Sequence, residues 1–148
     1  MKKLIQRLLI SGLFLMFITM GAQAQFRSIP GVVTDSFKIK YPNAQNVNWS
    51  DEISNFKASF KLDTAKYTAK YSSKGEWQQS ETTISWDALP AAVKDGFSKS
   101  KYATEWSKST VTTRYLPGNQ IQYLVGIYKN SFQKKTLVFS PDGRLLKD

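Results

Sequence analysis

Histidine and cysteine are both absent from this chain of 148 residues. Histidine triads, imidazole acid–base catalysis, thiol nucleophiles and most zinc sites are therefore excluded. What remains for chemistry is a set of carboxylates, hydroxyls and lysines. A pair of carboxylates suffices for glycosidic cleavage, but the 11 Asp and Glu are scattered, and most fall in turns or helix caps. Asp51, Glu52 and Asn55 place oxygens close together, yet the Asp-x-Asp-x-Asp-Gly spacing of a calcium loop is missing. A polar hairpin turn accounts for them, as it does for Asp142-Gly143. Ser98-Lys99-Ser100-Lys101 reads as a solvated helix end rather than a Ser–Lys nucleophile pair, and there is no Gly-rich phosphate loop. The expectation is no catalytic residue, no metal, no cofactor and no enzyme activity.

One extended feature has no packing purpose. Phe56, Ala58, Phe60 and Leu62 alternate with Lys57, Ser59 and Lys61, and Tyr67, Ala69 and Tyr71 alternate with Lys66, Thr68 and Lys70. Period-2 alternation makes strands with one apolar face and one face carrying lysine. Further on, Val111, Thr113 and Tyr115 alternate with Thr112 and Arg114, and Ile121, Tyr123, Val125 and Ile127 with Gln122, Leu124, Gly126 and Tyr128. If helices cover one side of the resulting sheet, then Lys57, Lys61, Lys66, Lys70, Arg114, Gln122 and Tyr128 lie together on the other. Such a broad surface suits a protein or polymer partner better than a small molecule; its plainer reading is a solvated outer face.

The elements that would position this surface come in two similar sets. "IPGVVTDSF" at Ile29–Phe37 lines up with "LPAAVKDGF" at Leu89–Phe97, and "YTAKYSSKGEW" at Tyr67–Trp77 with "KTLVFSPDGRL" at Lys135–Leu145. In the first pattern Ile29, Val33, Phe37 and Tyr41, and again Leu89, Val93 and Phe97, recur every fourth residue as the apolar stripe of a short helix. Pro30 and Pro90 are expected in the opening turns, with Ser85 or Asp87 capping the second helix and Pro42 closing the first. Ser72-Ser73-Lys74-Gly75, Pro117-Gly118-Asn119, Asn130-Ser131 and Pro141-Asp142-Gly143 suit hairpins. The expected fold is α+β: two tandem helix plus antiparallel-sheet repeats, residues 25–84 and 85–148, forming one continuous antiparallel sheet of about eight strands with two helices on one face.

Without disulfides the core alone must hold the fold. Phe26, Phe37, Phe56, Phe60, Phe97, Phe132 and Phe139 supply it with material, together with the Trp and Tyr residues. Trp77 and Trp86 sit in apolar company. Trp49 and Trp106 stand in polar stretches, where an exposed aromatic would serve as an interface anchor, although alternation can also turn both toward the helices.

The chain opens with Lys2, Lys3 and Arg7, an apolar run from Leu8 to Met20 and the small-residue exit Ala22-Gln23-Ala24. That order is a secretory signal peptide over residues 1–24, cleaved after Ala24, and no later stretch is apolar enough to span a bilayer. Cleavage takes three of the 21 Lys and Arg, leaving 18 cations against 11 acids and a net charge of +7. An exported basic domain meets acidic proteins or anionic envelope polymers and lipids rather than nucleic acid.

The two "[IL]P-x-x-V-x-D-x-F" helices, the "KYPNA" after the first, and the closing "YSSKGEW" and "FSPDGRL" hairpins resemble the PepSY-like, beta-lactamase-inhibitor-like periplasmic proteins of Bacteroidetes. The second half departs in having "KYATEW" where the first has Tyr-Pro. The resemblance implies a periplasmic or secreted, non-catalytic role in binding or inhibiting another envelope protein, and it brings no catalytic residues with it. The alternative is a binder of anionic envelope polymer or lipid through the basic sheet face.

Overall fold

The computed structural model describes residues 28–148. The expected signal peptide lies outside them. Helix α1 (Gly31–Lys40) presents Val33 and Phe37 as its buried stripe, and α2 (Ala91–Ser98) presents Val93 and Phe97. Each proline sits one position earlier than expected, at the N-cap in extended conformation (Pro30 φ −61°, ψ 143°; Pro90 φ −55°, ψ 143°). From there its carbonyl accepts the first helical N–H groups, from Val33 (3.0 Å) and Thr34 (3.3 Å), and from Val93 (3.0 Å) and Lys94 (3.1 Å). Proline has no hydroxyl or carboxylate to offer, so neither helix has a side-chain cap. The expected cap from Ser85 or Asp87 is not made: the Ser85 hydroxyl accepts the Ala88 N–H (3.3 Å) in the preceding turn, and the Asp87 carbonyl accepts from Lys94 Nζ (2.9 Å).

Eight strands form one antiparallel sheet in strict sequence order. They are β1 (Gln45–Glu52), β2 (Asn55–Leu62), β3 (Ala65–Tyr71), β4 (Trp77–Ile84), β5 (Ser107–Leu116), β6 (Gln120–Tyr128), β7 (Lys134–Phe139) and β8 (Leu145–Lys147). At one margin β1 shifts register between Gln45 and Asn48, with Asn46 at φ 53°; at the other, β8 is three residues long. Although α2 intervenes between them, β4 and β5 pair from Ser80↔Tyr115 to Ile84↔Val111, so the sheet runs unbroken through the middle of the chain.

Register fixes the two faces. Phe60, Tyr67, Thr82, Thr113, Tyr123 and Phe139 stand opposite one another in turn across six strands, and so share a face. On that face Val33 and Phe37 pack with Phe56, Ala58, Phe60, Ala69 and Tyr71, while Val93 and Phe97 pack with Val111, Val125, Ile127, Leu137 and Phe139. Both helices therefore lie on one side, over two separate cores. Between the cores runs a polar seam of buried Ser80, Thr82 and Thr113. Trp49 and Trp106 are both partly buried on the helix side, Trp49 edge-on to Phe37 at 5.3 Å and Trp106 edge-on to Tyr102 at 5.6 Å.

The hairpins β3–β4 and β7–β8 repeat one device. Ser72 and Ser140 close equivalent turns, with Gly75 (φ 82°) and Gly143 (φ 84°) left-handed. Both turns press against the first turn of a helix: a Cβ on Gly75 would lie 2.8 Å from the Val32 carbonyl oxygen, and one on Gly143 only 2.0 Å from that of Ala92. The second helix sits closer to its hairpin, and glycine at position 96 permits this, since a Cβ there would lie 1.9 Å from the Gly143 oxygen. The aligned residue in α1 is Ser36.

Tyr71 is fully buried, and its hydroxyl has no hydrogen-bond partner among the described residues. Burial pushes its ionisation well above the ordinary range. A buried unpaired polar group costs about 1–3 kcal/mol, so Tyr71→Phe is expected to raise stability by about 1 kcal/mol. Urea denaturation measures this, and a fall in the midpoint would contradict the assignment.

Candidate binding surface

Among the described residues, no element covers the face opposite the helices. Strands β2 and β3 bring Lys57 opposite Lys70, and Lys61 opposite Lys66. A transverse row then runs Asn48, Ser59, Thr68, Glu81, Arg114, Gln122. Tyr128, on the same face of β6, stands at the far end opposite Lys134 and is 41% exposed. All seven candidate residues thus occupy this face.

The charge on it is less free than the alternation suggests. Glu52 of β1 is shared by two lysines, with Oε1 2.7 Å from Lys57 Nζ and Oε2 2.8 Å from Lys70 Nζ. Hydrogen bonds from Lys57 and then Lys70 hold the Glu52 carboxyl below its ordinary range. Glu81 takes Arg114 Nε at 2.8 Å and Gln79 Nε2 at 3.1 Å. Asp51 and Glu52, adjacent in β1, project to opposite faces, and among the described residues no three His, Cys, Asp or Glu gather as a metal would need. Lys134, opposite Tyr128, has no acidic partner among the described residues, and neither have Lys61 and Lys66, a directly opposed and exposed pair of cations on this face. Like charges directly opposite repel, and here nothing bridges them. They flank a shallow hollow of ≈440 Å³ floored by Asn48, Ser59, Thr68 and Thr83.

The two ends of the face differ. Toward β6 and β7 the face turns apolar at Leu124, paired with Val138, at 9% and 8% exposure, with Lys134 at its margin. Beyond them the β6–β7 turn carries Phe132, 97% exposed. The ring is not the core material that its residue type suggests; it projects from a turn that holds its shape, because Asn130 Oδ1 accepts the N–H groups of Phe132 (3.0 Å) and Gln133 (2.9 Å), and Lys129 N–H donates to the Gln133 carbonyl (3.0 Å). The signal available was the company Phe132 keeps, between Ser131 and Gln133, outside any alternating run.

No protein-family model matches the chain, and no curated protein does. Solved structures do. A DUF2874 family protein from Bacteroides ovatus is 29% identical, with a TM-score of 0.74 over 81% of this chain and 86% of its own. A BLIP-like protein from Bacteroides fragilis is 25% identical, with a TM-score of 0.74 over 84% and 87%. A proposed periplasmic protein from Bacteroides eggerthii is 25% identical, with a TM-score of 0.72 over 81% and 87%. The fold is thus BLIP-like: an open antiparallel sheet with two helices, shared with DUF2874 proteins. No helix among the described residues is long and apolar enough to cross a membrane.

Proposed function

We propose that this chain is a non-catalytic periplasmic module, inhibitor-like in mode, that binds a protein partner with its open sheet face. The observation that carries the reading is the asymmetry of that face, with the unpaired Lys61/Lys66 couple at one end and the exposed Phe132 beyond the Leu124–Val138 patch at the other. The complementary partner presents a carboxylate-rich patch beside an apolar pocket, the charge speeding encounter and the aromatic ring supplying an anchor. An anionic polymer would exploit the whole row of cations, but Glu52 and Glu81 already engage Lys57, Lys70 and Arg114.

We also read the two halves as copies of one PepSY-like unit. Besides the glycine hairpins, the tyrosine of the Lys-Tyr that follows each helix reaches the closing part of its own half: the Tyr41 hydroxyl bonds Ser80 Oγ in β4 (2.5 Å), and the Tyr102 hydroxyl donates to the carboxylate of Asp148, just past β8.

The test is affinity capture from envelope extract with the wild type, a Lys61→Glu/Lys66→Glu variant and Phe132→Ala. Lys57 and Lys70 are left intact, because a carboxylate beside Glu52 would disturb the sheet itself. The double variant is expected to lose the partner, and Phe132→Ala to weaken it roughly thirtyfold, as for an interface hot spot. Identical catches from all three proteins would sink the proposal.

A further inference from the structure

The helix-covered face is not fully covered. The two helices sit over two cores, and beside the end of α1 the same side of the sheet opens as a hollow of ≈720 Å³, within the size range of small-molecule sites. Four aromatic rings line it: Tyr41 at the end of α1, Tyr67, Trp77 and Tyr115. Leu62 and Ile121 complete an apolar wall, and the turn at 117–119 forms a rim.

Part of this lining is held in place. Ser80 Oγ receives Trp77 Nε1–H (2.7 Å) and bonds the Tyr41 hydroxyl (2.5 Å), so one buried serine fixes two rings. Burial raises the pKa of the Tyr41 hydroxyl, and that of Tyr115, where the neighbouring Tyr67 adds to it. The Tyr67 and Tyr115 hydroxyls make no hydrogen bond among the described residues, and unlike that of Tyr71 they are not sealed from solvent. At the mouth, Lys40 is exposed and rests its ammonium 3.7 Å from the centre of the Trp77 ring, with no acidic side chain lining the hollow. A cation that has only a ring face for a partner exchanges it readily for an anion.

We infer that this hollow is a binding site for a small amphipathic organic anion, its apolar body lying among Tyr67, Trp77, Tyr115 and Ile121 and its carboxylate or sulfonate paired with Lys40. The accessible Tyr67 and Tyr115 hydroxyls donate to the same ligand's polar atoms. The site is on the opposite side of the sheet from the proposed partner surface and stands independently of it.

The probe is 8-anilinonaphthalene-1-sulfonate, titrated by fluorescence against the folded protein, with dodecanoate as competitor. Saturable one-to-one binding is expected, displaced by dodecanoate, weakened about tenfold by Lys40→Glu and abolished by Ile121→Trp, which fills the hollow. Lys61→Glu/Lys66→Glu should leave it unchanged. Lys40→Glu changes an exposed residue, so it keeps the test decisive if Ile121→Trp does not fold. Non-saturable binding, no binding, or binding indifferent to Lys40→Glu would overturn the assignment. So would sedimentation showing that the hollow is occupied by a second copy of the chain, with self-association lost in the same variants.

Discussion

Gly143→Ala is expected to cost at least about 3 kcal/mol, a large share of the roughly 5–15 kcal/mol that holds an ordinary domain together. Two causes add. An alanine at φ 84° bears the strain of a left-handed backbone, about 1–2 kcal/mol, and its Cβ would lie 2.0 Å from the Ala92 carbonyl oxygen. The hairpin can avoid that contact only by withdrawing from α2, which would uncover Val93 and Phe139. Gly118, at φ 73° with nothing within 4 Å, isolates the first cause, and Gly75, whose nearest contact is 2.8 Å, is intermediate. Urea midpoints of the three alanine variants should therefore fall in the order Gly143, Gly75, Gly118, with Gly143→Ala losing most. Equal losses at all three would show that backbone conformation alone matters and that the close approach to the helix does not.

Phe37→Ala is expected to cost about 3–5 kcal/mol, the range for emptying a packed phenylalanine site. Its ring is the hub of the first core, with centroids of Phe60 at 5.0 Å, Trp49 at 5.3 Å, Tyr41 at 5.5 Å and Tyr71 at 6.2 Å. Four rigid rings cannot collapse into the space it leaves. Because the two cores are separate, amide exchange should accelerate first in β1, β2 and β3, while β6 and β7 keep their protection. A stability loss under about 1.5 kcal/mol, at the low end for large core truncations, would mean that the cluster repacks. Uniform acceleration across the sheet would mean that the cores do not open independently.

Much of this architecture could be read in the residues, for identifiable reasons. The helix stripes and strands β2, β3, β5 and β6 show because a buried face imposes a strict period, and Val33, Phe37, Val93 and Phe97 obey it. The seven surface residues fall on one face because alternation has only two outcomes. The hairpins at Gly75 and Gly143 show because left-handed turns select glycine. What could not be read depends on pairing across the sheet. Glu52 and Lys70 are 18 positions apart, and Glu81 and Arg114 33, so their ion pairs appear only once register is known. The hollow beside the end of α1 belongs to no one segment; its walls come from residues as far apart as Lys40, Trp77 and Ile121, which meet only once the sheet is assembled. Phe132 was misread because composition counts aromatic rings without saying which elements can bury them. The helix starts were displaced by one residue because a proline in extended conformation serves as the boundary itself.

An open sheet must end somewhere, and at each end a strand is left with unpaired backbone groups that invite another copy of the same chain to continue the ladder. The shift in β1, with Asn46 turned to φ 53°, breaks the regular row of donors and acceptors that an incoming strand would need. At the other end β8 offers three residues, Leu145 to Lys147, too few to template a growing fibril. Irregularity at one margin and brevity at the other keep an open sheet from becoming a seed for its own polymerisation.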